Sequence, residues 1–167
     1  MKTVPALHTD RCILTTVKQN DIPMIQQILE DTETKRFLPE LCHEFQTEEN
    51  LRQLITSFDK YLIQNEGVLW GVRKDDNLIG FIAIMGIPTS STLFYAIHPG
   101  FRNNGYMRES LVKVMDYIYM TCLCSFLCSE VYHNHLISQK LLEDMGFKKC
   151  KMDKEKIYYR IDNLNKH

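Results

Sequence analysis

The chain has no excess of charge of either sign: 20 Lys and Arg stand against 21 Asp and Glu, a net charge of −1 over 167 residues. That balance leaves no basic footprint, so nucleic acid is not expected as a partner. Long apolar runs are missing as well. The most apolar stretch, YIYMTCLCSFLC (117–128), is shorter than the ~20 residues a membrane-spanning helix needs, and no membrane is expected. The opening MKTVPALHTD has no apolar signal-type core, which makes a cytoplasmic setting the expectation.

Paired C-x2-4-C motifs are also lacking. Cys122, Cys124 and Cys128 are spaced C-x-C-x3-C, with His133 and His135 nearby. Small buried hydrophobes on one strand face explain that spacing better than zinc ligands do, and no metal is expected. Neither G-x-x-x-x-G-K-[ST] nor G-x-G-x-x-G occurs, which argues against a nucleotide-phosphate binder. Repeats, low-complexity tracts and linkers are absent too. With 44% hydrophobic residues, residues 1–167 are expected to close around a core as a single domain.

What is present is a regular alternation of strand and helix signals. CILTTV (12–17) alternates like a strand. Ile22, Ile25, Ile28 and Leu29 then recur at helical spacing behind Pro23, and FLPELCHEF (37–45) reads as irregular. Thr47 is placed to cap a helix striped by Leu51, Leu54, Ile55, Phe58 and Leu62. VLWGVRK and NLIGFIAIMG flank Asp75-Asp76 as a hairpin, and TLFYAIHP (92–99) makes a further strand. Residues 106–120 read as a helix with Met107, Leu111, Val114, Met115 and Ile118 inward. LCSFLCSEVY (123–132), a helix ended by Gly146, and the strands FKKCKM and KIYYRI complete an α+β order.

The stretch AIHPGFRNNGYMRES (96–110) stands out. A strand ends at a proline and a helix begins a few residues later, behind Arg102, Asn103, Asn104 and Gly105. The amides of a helix N-terminus are unpaired and carry partial positive charge, which suits a phosphate or pyrophosphate. Gly105 permits close backbone approach or a positive φ, and Arg102 and Arg108 add charge.

With these residues in place, the chain resembles the GNAT acetyltransferases, whose cofactor loop reads R/Q-x-x-G-x-G/A. Arg102, Gly105 and Met107 take the three signature positions, with Met107 where the family prefers Gly or Ala. TDRCILTTVKQND is similar to the T-x-R-L-x-L…D entry of the ribosomal-protein-type (Rim-like) branch, at Thr9, Arg11, Leu14 and Asp21. NHLISQKLLEDMGF is similar to the family's late N-x-x-S-x-x-x-L-x-x-x-G-F helix, at Ser138, Leu142, Gly146 and Phe147. Asn134 sits one residue early there, and His135 fills its usual slot.

The resemblance implies a GNAT-like mixed sheet, mostly antiparallel with a splayed parallel pair, flanked by helices on both faces. It implies acetyl-CoA as co-substrate and direct attack by a primary amine in a ternary complex. The cofactor would meet main chain at Tyr95 and Ile97, the loop Arg102, Asn103, Asn104, Gly105, Tyr106 and Met107, and then Asn134, His135 and Ser138. Glu130 and Tyr132 are candidates for the base, and Ser138 for the donor to the departing thiolate, because Leu141 and Leu142 lie where relatives carry a tyrosine acid. His98 is a further base candidate or a surface turn residue. Phe37, Phe45, Tyr61, Tyr158 and Tyr159 are candidates for the acceptor pocket or for core. The acceptor is expected to be a small-molecule or peptide amine, and the protein a monomer or homodimer. A non-catalytic CoA-binding module of the same fold is the alternative, motivated by Met107 and the missing tyrosine.

Overall fold

The computed structural model of the protein describes residues 3–162. An eight-stranded sheet runs through it in the order β1-β2-β3-β4-β5-β6-β8-β7. The strands are β1 (Leu7–His8), β2 (Ile13–Thr16), β3 (Gly67–Lys74), β4 (Asn77–Met85), β5 (Thr92–Ile97), β6 (Phe126–Tyr132), β7 (Lys148–Met152) and β8 (Lys156–Asp162). Every neighbouring pair is antiparallel except β5 and β6, which run parallel. The expected mixed sheet is therefore the observed one.

Among the described residues six α-helices cover its two faces. Helices α1 (Ile22–Glu30), α2 (Thr32–Phe37), α3 (Pro39–Glu44) and α4 (Glu48–Gln64) precede β3; α5 (Tyr106–Thr121) joins β5 to β6; α6 (Leu136–Asp144) joins β6 to β7. Period-2 alternation sorts each strand between two cores. Leu93 joins one core with Trp70, Ile82 and the α5 stripe, while Phe81, Ala83 and Ala96 join the other with Ile25, Leu51 and Phe58. All five expected inward residues of α5 are buried.

Local rules account for several boundaries. Thr47 accepts the Asn50 amide at 3.1 Å as the cap of α4. Asp75 and Asp76 both take positive φ, as a two-residue hairpin turn with strand-matching twist demands. Two expectations change. Residues 37–45 are not irregular: α2 and α3 meet there, each too short to show an apolar period, and Pro39 opens the second. β6 begins only at Phe126, and Cys122 is a left-handed cap of α5 (φ 50°) rather than a strand residue. Among the described residues no helix is long and apolar enough to cross a membrane.

Candidate active site: a groove where two parallel strands part

β5 and β6 share one register pair, Thr92 with Cys128. The Cys128 amide donates to the Ser91 carbonyl at 2.8 Å and the Ser129 hydroxyl to the Leu93 carbonyl at 3.1 Å, and then the strands separate. Carbonyls of Ser91 and Leu93 thus face β6, while the His98 amide turns the other way, to Ile79 on β4. Alternation then points the main-chain groups of Tyr95 and Ile97 into the opening. A groove of about 330 Å³ fills it, walled by Tyr95 and Ile97 on one side and by Ser129, Glu130, His135 and Ser138 on the other.

The loop between β5 and α5 closes one end. His98 caps a short 3-10 turn by accepting the Gly100 amide at 3.1 Å, and its other nitrogen meets Gln27 at 3.2 Å. That imidazole fastens the loop, and it is not among the residues that border the groove. Gly105, at φ +78°, is the N-cap of α5, and Asn103 is also left-handed at +59°. An added Cβ on Gly105 would lie 3.3 Å from Arg11 Nη2, besides straining the backbone. Gly105, Tyr106 and Met107 border the groove, so the unpaired amides at the start of α5, with the Arg11 guanidinium beside Gly105, form a cradle that fits an anion.

The arginines around this loop are paired. Arg102 reaches away to Asp31 (2.6 Å), Glu33 (2.6 Å) and Thr34 (3.0 Å), binding the loop to α2. Burial alone would raise the Asp31 pKa, but the hydrogen bonds from Arg102 and the Thr34 amide outweigh it and hold the carboxyl below its ordinary range. Arg11 donates to Glu109 at 2.7 Å and to the Asn104 carbonyl at 2.8 Å, and its guanidinium lies 4.5 Å from the Tyr106 ring centre. Thr9 also bonds Glu109. The sequence pair Thr9-x-Arg11 is thus a clasp on the loop, a function its spacing did not reveal. Arg108 pairs with Asp144 at 2.9 Å. Backbone amides, rather than uncompensated side-chain charge, make the cradle.

Met107 is 7% exposed and packs in the core under the groove. Its Cε sits 3.3 Å from where a Cβ on Gly80 would be, so the long side chain fills the space that glycine leaves. His135 stacks on Phe37 with ring centres 3.8 Å apart and planes 2° from parallel, a contact between α2 and the start of α6. Burial, with Arg102 and Arg36 nearby, pushes its pKa down to about 4, so the ring is neutral near pH 7. Tyr95 and Ser138 hydroxyls meet at 2.6 Å across the groove, and burial pushes the phenol up to about 12.

A second, wider cavity of about 670 Å³ lies between α3, α4 and the sheet. It shares Phe37, Leu38, Leu93, Phe94 and Glu130 with the groove. Phe45 and Tyr61 line it as well, whereas Tyr159 is buried core and Tyr158 bonds Asp153. The sequence shows no acidic run, yet Glu40, Glu44 and Glu130 gather around this cavity with Lys156. Lys156 Nζ lies 2.8 Å from Glu40 and 3.4 Å from Glu130, and Tyr132 donates to Glu40 at 3.0 Å. Burial would lower the Lys156 pKa, but these carboxylates raise it well above the ordinary range.

Of the residues singled out from sequence, Tyr95, Ile97, Arg102, Asn103, Gly105, Tyr106, Met107, Glu130, His135 and Ser138 border the groove. Asn104 and Asn134 do not; Tyr132 borders the wider cavity instead. Asn134 is an exposed turn residue, and His135 takes the place beside the groove.

A mixed sheet parted between two parallel strands, with a glycine-led helix start at its mouth, offers a groove and unpaired amides suited to an elongated, phosphate-bearing ligand. The chain belongs to the acetyltransferase (GNAT) family: a profile of that domain matches residues 11–148. It is accordingly an acetyl-CoA-dependent N-acetyltransferase. The uncharacterized N-acetyltransferase YoaA of Bacillus subtilis (strain 168) is 27% identical over 150 residues, covering 87% of this chain and 84% of its own. The ribosomal alpha-N-protein acetyltransferase RimL, solved with coenzyme A, superposes with TM-score 0.86 at 11% identity, over 96% of this chain and 99% of its own. A GNAT-family acetyltransferase from Bacillus anthracis does so with TM-score 0.77 at 15% identity, over 95% and 99%. At such identities these two structures show a shared fold.

Proposed function

We propose that this N-acetyltransferase sits with the ribosomal-protein-type branch of its family and acetylates a primary amine that arrives through the wider cavity. The observation that carries this reading is the meeting of groove and cavity at Phe94 and Glu130. Residues 1–167 act as one cytoplasmic unit in this reading. The Thr9–Arg11–Glu109 clasp and the likeness to RimL support the branch.

Acetyl-CoA supplies an activated thioester. The amides of residues 103–107 hold its phosphates, and the main chain of Tyr95 and Ile97 orients the pantetheine arm and the thioester carbonyl. His135, neutral and stacked on Phe37, lines the same arm in place of the usual asparagine. An incoming ammonium must lose a proton before it attacks, and Glu130 stands at the junction where that proton leaves. Tyr132, fixed by Glu40, shapes the acceptor side. Ser138 faces the groove from α6 as the donor to the leaving sulfur.

The acceptor cavity combines apolar walls with three carboxylates against one lysine, which favours an amine with no carboxylate beside it. A peptide N-terminus and a simple alkylamine both satisfy this, whereas a free amino acid does not. Thiol release from acetyl-CoA, measured against short peptides, 2-phenylethylamine and phenylalanine, tests the reading. Turnover with peptide or phenylethylamine and none with phenylalanine is expected. Equal turnover of phenylalanine and phenylethylamine would contradict it.

A further inference from the structure

The late helix α6 has Leu141 and Leu142 where a phenol would otherwise serve the leaving group, yet a phenol does reach this part of the groove. It comes from the opposite wall. Tyr95 on β5 extends its hydroxyl to within 2.6 Å of Ser138 Oγ on α6, and both side chains border the groove. Ser138 is 6% exposed, and among the described residues neither hydroxyl has another hydrogen-bond partner. Two buried hydroxyls in contact hold two protons but need only one between them. The second must point elsewhere.

Which proton is free follows from acidity. A phenol is a far better donor than an aliphatic alcohol, so the pair is satisfied with Tyr95 donating to Ser138 Oγ. The Ser138 proton is then free to turn into the groove, and accepting from Tyr95 polarises it further. We propose that Tyr95 is a positioning residue for acyl transfer: it holds the Ser138 O–H directed at the sulfur that leaves the thioester. This inference rests on the reading of Ser138 given above and adds the group that orients it.

The step balances without a proton leaving either hydroxyl. The amine nitrogen bonds to the carbonyl carbon, the C–S bond breaks, and the bonding pair departs on sulfur. The proton shed by the nitrogen goes to Glu130 and on to solvent. Ser138 donates a hydrogen bond to the sulfur as charge grows there, and solvent finally protonates the thiolate. Tyr95 stays neutral throughout, consistent with a phenol whose burial raises its pKa to about 12. It orients; it does not titrate.

The test needs coenzyme A alone and no acceptor. CoA carrying 13C beside its sulfur is bound to the protein, and its thiol pKa is read by NMR across a pH series. A correctly aimed Ser138 proton lowers that pKa below the value of free CoA. Tyr95→Phe, which keeps the ring and its packing, is expected to raise it by about one unit, a tenfold change in acid constant. Ser138→Ala should raise it to a similar extent, and the double variant no further, because the two act as one unit. An unchanged pKa in Ser138→Ala would sink both the Ser138 reading and this proposal. A shift in Ser138→Ala with none in Tyr95→Phe would overturn the proposal alone, as would strictly additive shifts. Loss of CoA binding by Tyr95→Phe would make the phenol a wall of the site rather than an orienting group, and would equally overturn it.

Discussion

Met107 occupies one of the positions where this chain departs from the family pattern, and replacing it separates two accounts of the loop. The side chain leaves the first turn of α5 downward, is 7% exposed, and packs over Gly80 beside Leu111 and Val114. Met107→Ala deletes a buried thioether and leaves a cavity above Gly80. The expected loss is about 2–5 kcal/mol, the range for such truncations in a closed core. For a chain of this size each kcal/mol moves the midpoint by roughly 2–4 °C, so a fall of about 4–20 °C is expected. Urea denaturation should show a lower midpoint at an unchanged slope. Met107→Leu, which conserves volume, should cost less than about 1.5 kcal/mol. Acetyl-CoA affinity should stay within about twofold for both variants, because the cradle uses the Met107 amide and not its side chain. An equally stable Met107→Ala protein that binds acetyl-CoA more tightly would show that the side chain crowds the cofactor, and would refute the packing argument.

Other consequences are equally open to measurement. Glu130→Gln should lower kcat by about 10²-fold with acetyl-CoA binding intact, the range for loss of a general base; full activity in the variant would remove Glu130 from that role. Stability should fall with acid in a defined window. Asp31, paired with Arg102, is depressed in the folded chain, so its contribution is complete above the ordinary pKa of about 3.9 and lost as pH falls through its lower folded value. Glu109, held down by Thr9 and Arg11 against the opposing effect of burial, adds in the same direction. Urea titrations from pH 6 to pH 2.5 should show the loss setting in below about pH 4.5 and blunted in Asp31→Asn; a flat profile would contradict the pairing.

Much of the frame was legible because local signals are strong there. Thr47, the Asp75-Asp76 turn and the α5 stripe each state their role in a few residues. The loop residues were legible for the same reason, since a strand end, Pro99 and Gly105 lie within one short stretch. What sequence left hidden depends on pairs far apart in the chain. Arg102 reads as a free charge for a phosphate until the fold brings Asp31 and Glu33 to it. Glu40, Glu44 and Glu130 form no run, and only the packing of α3 against β6 and β8 collects them at one cavity. Sequence points to Tyr95 for its backbone alone, while its hydroxyl takes its meaning from Ser138, 43 residues later. Helices α2 and α3 are hard to read from sequence because six residues span less than two turns, too few for an apolar period to repeat.

In this reading the parted strands and the Gly105 cradle hold acetyl-CoA. Isothermal calorimetry of acetyl-CoA into the wild type and into Gly105→Val tests it most directly. One site per chain with micromolar affinity is expected for the wild type, and no measurable heat for the variant, whose branched Cβ would occupy a backbone at φ +78° and crowd the anion site. The variant should keep a native circular dichroism spectrum. Absence of heat from the wild type at millimolar acetyl-CoA, or wild-type binding by Gly105→Val, would contradict the claim.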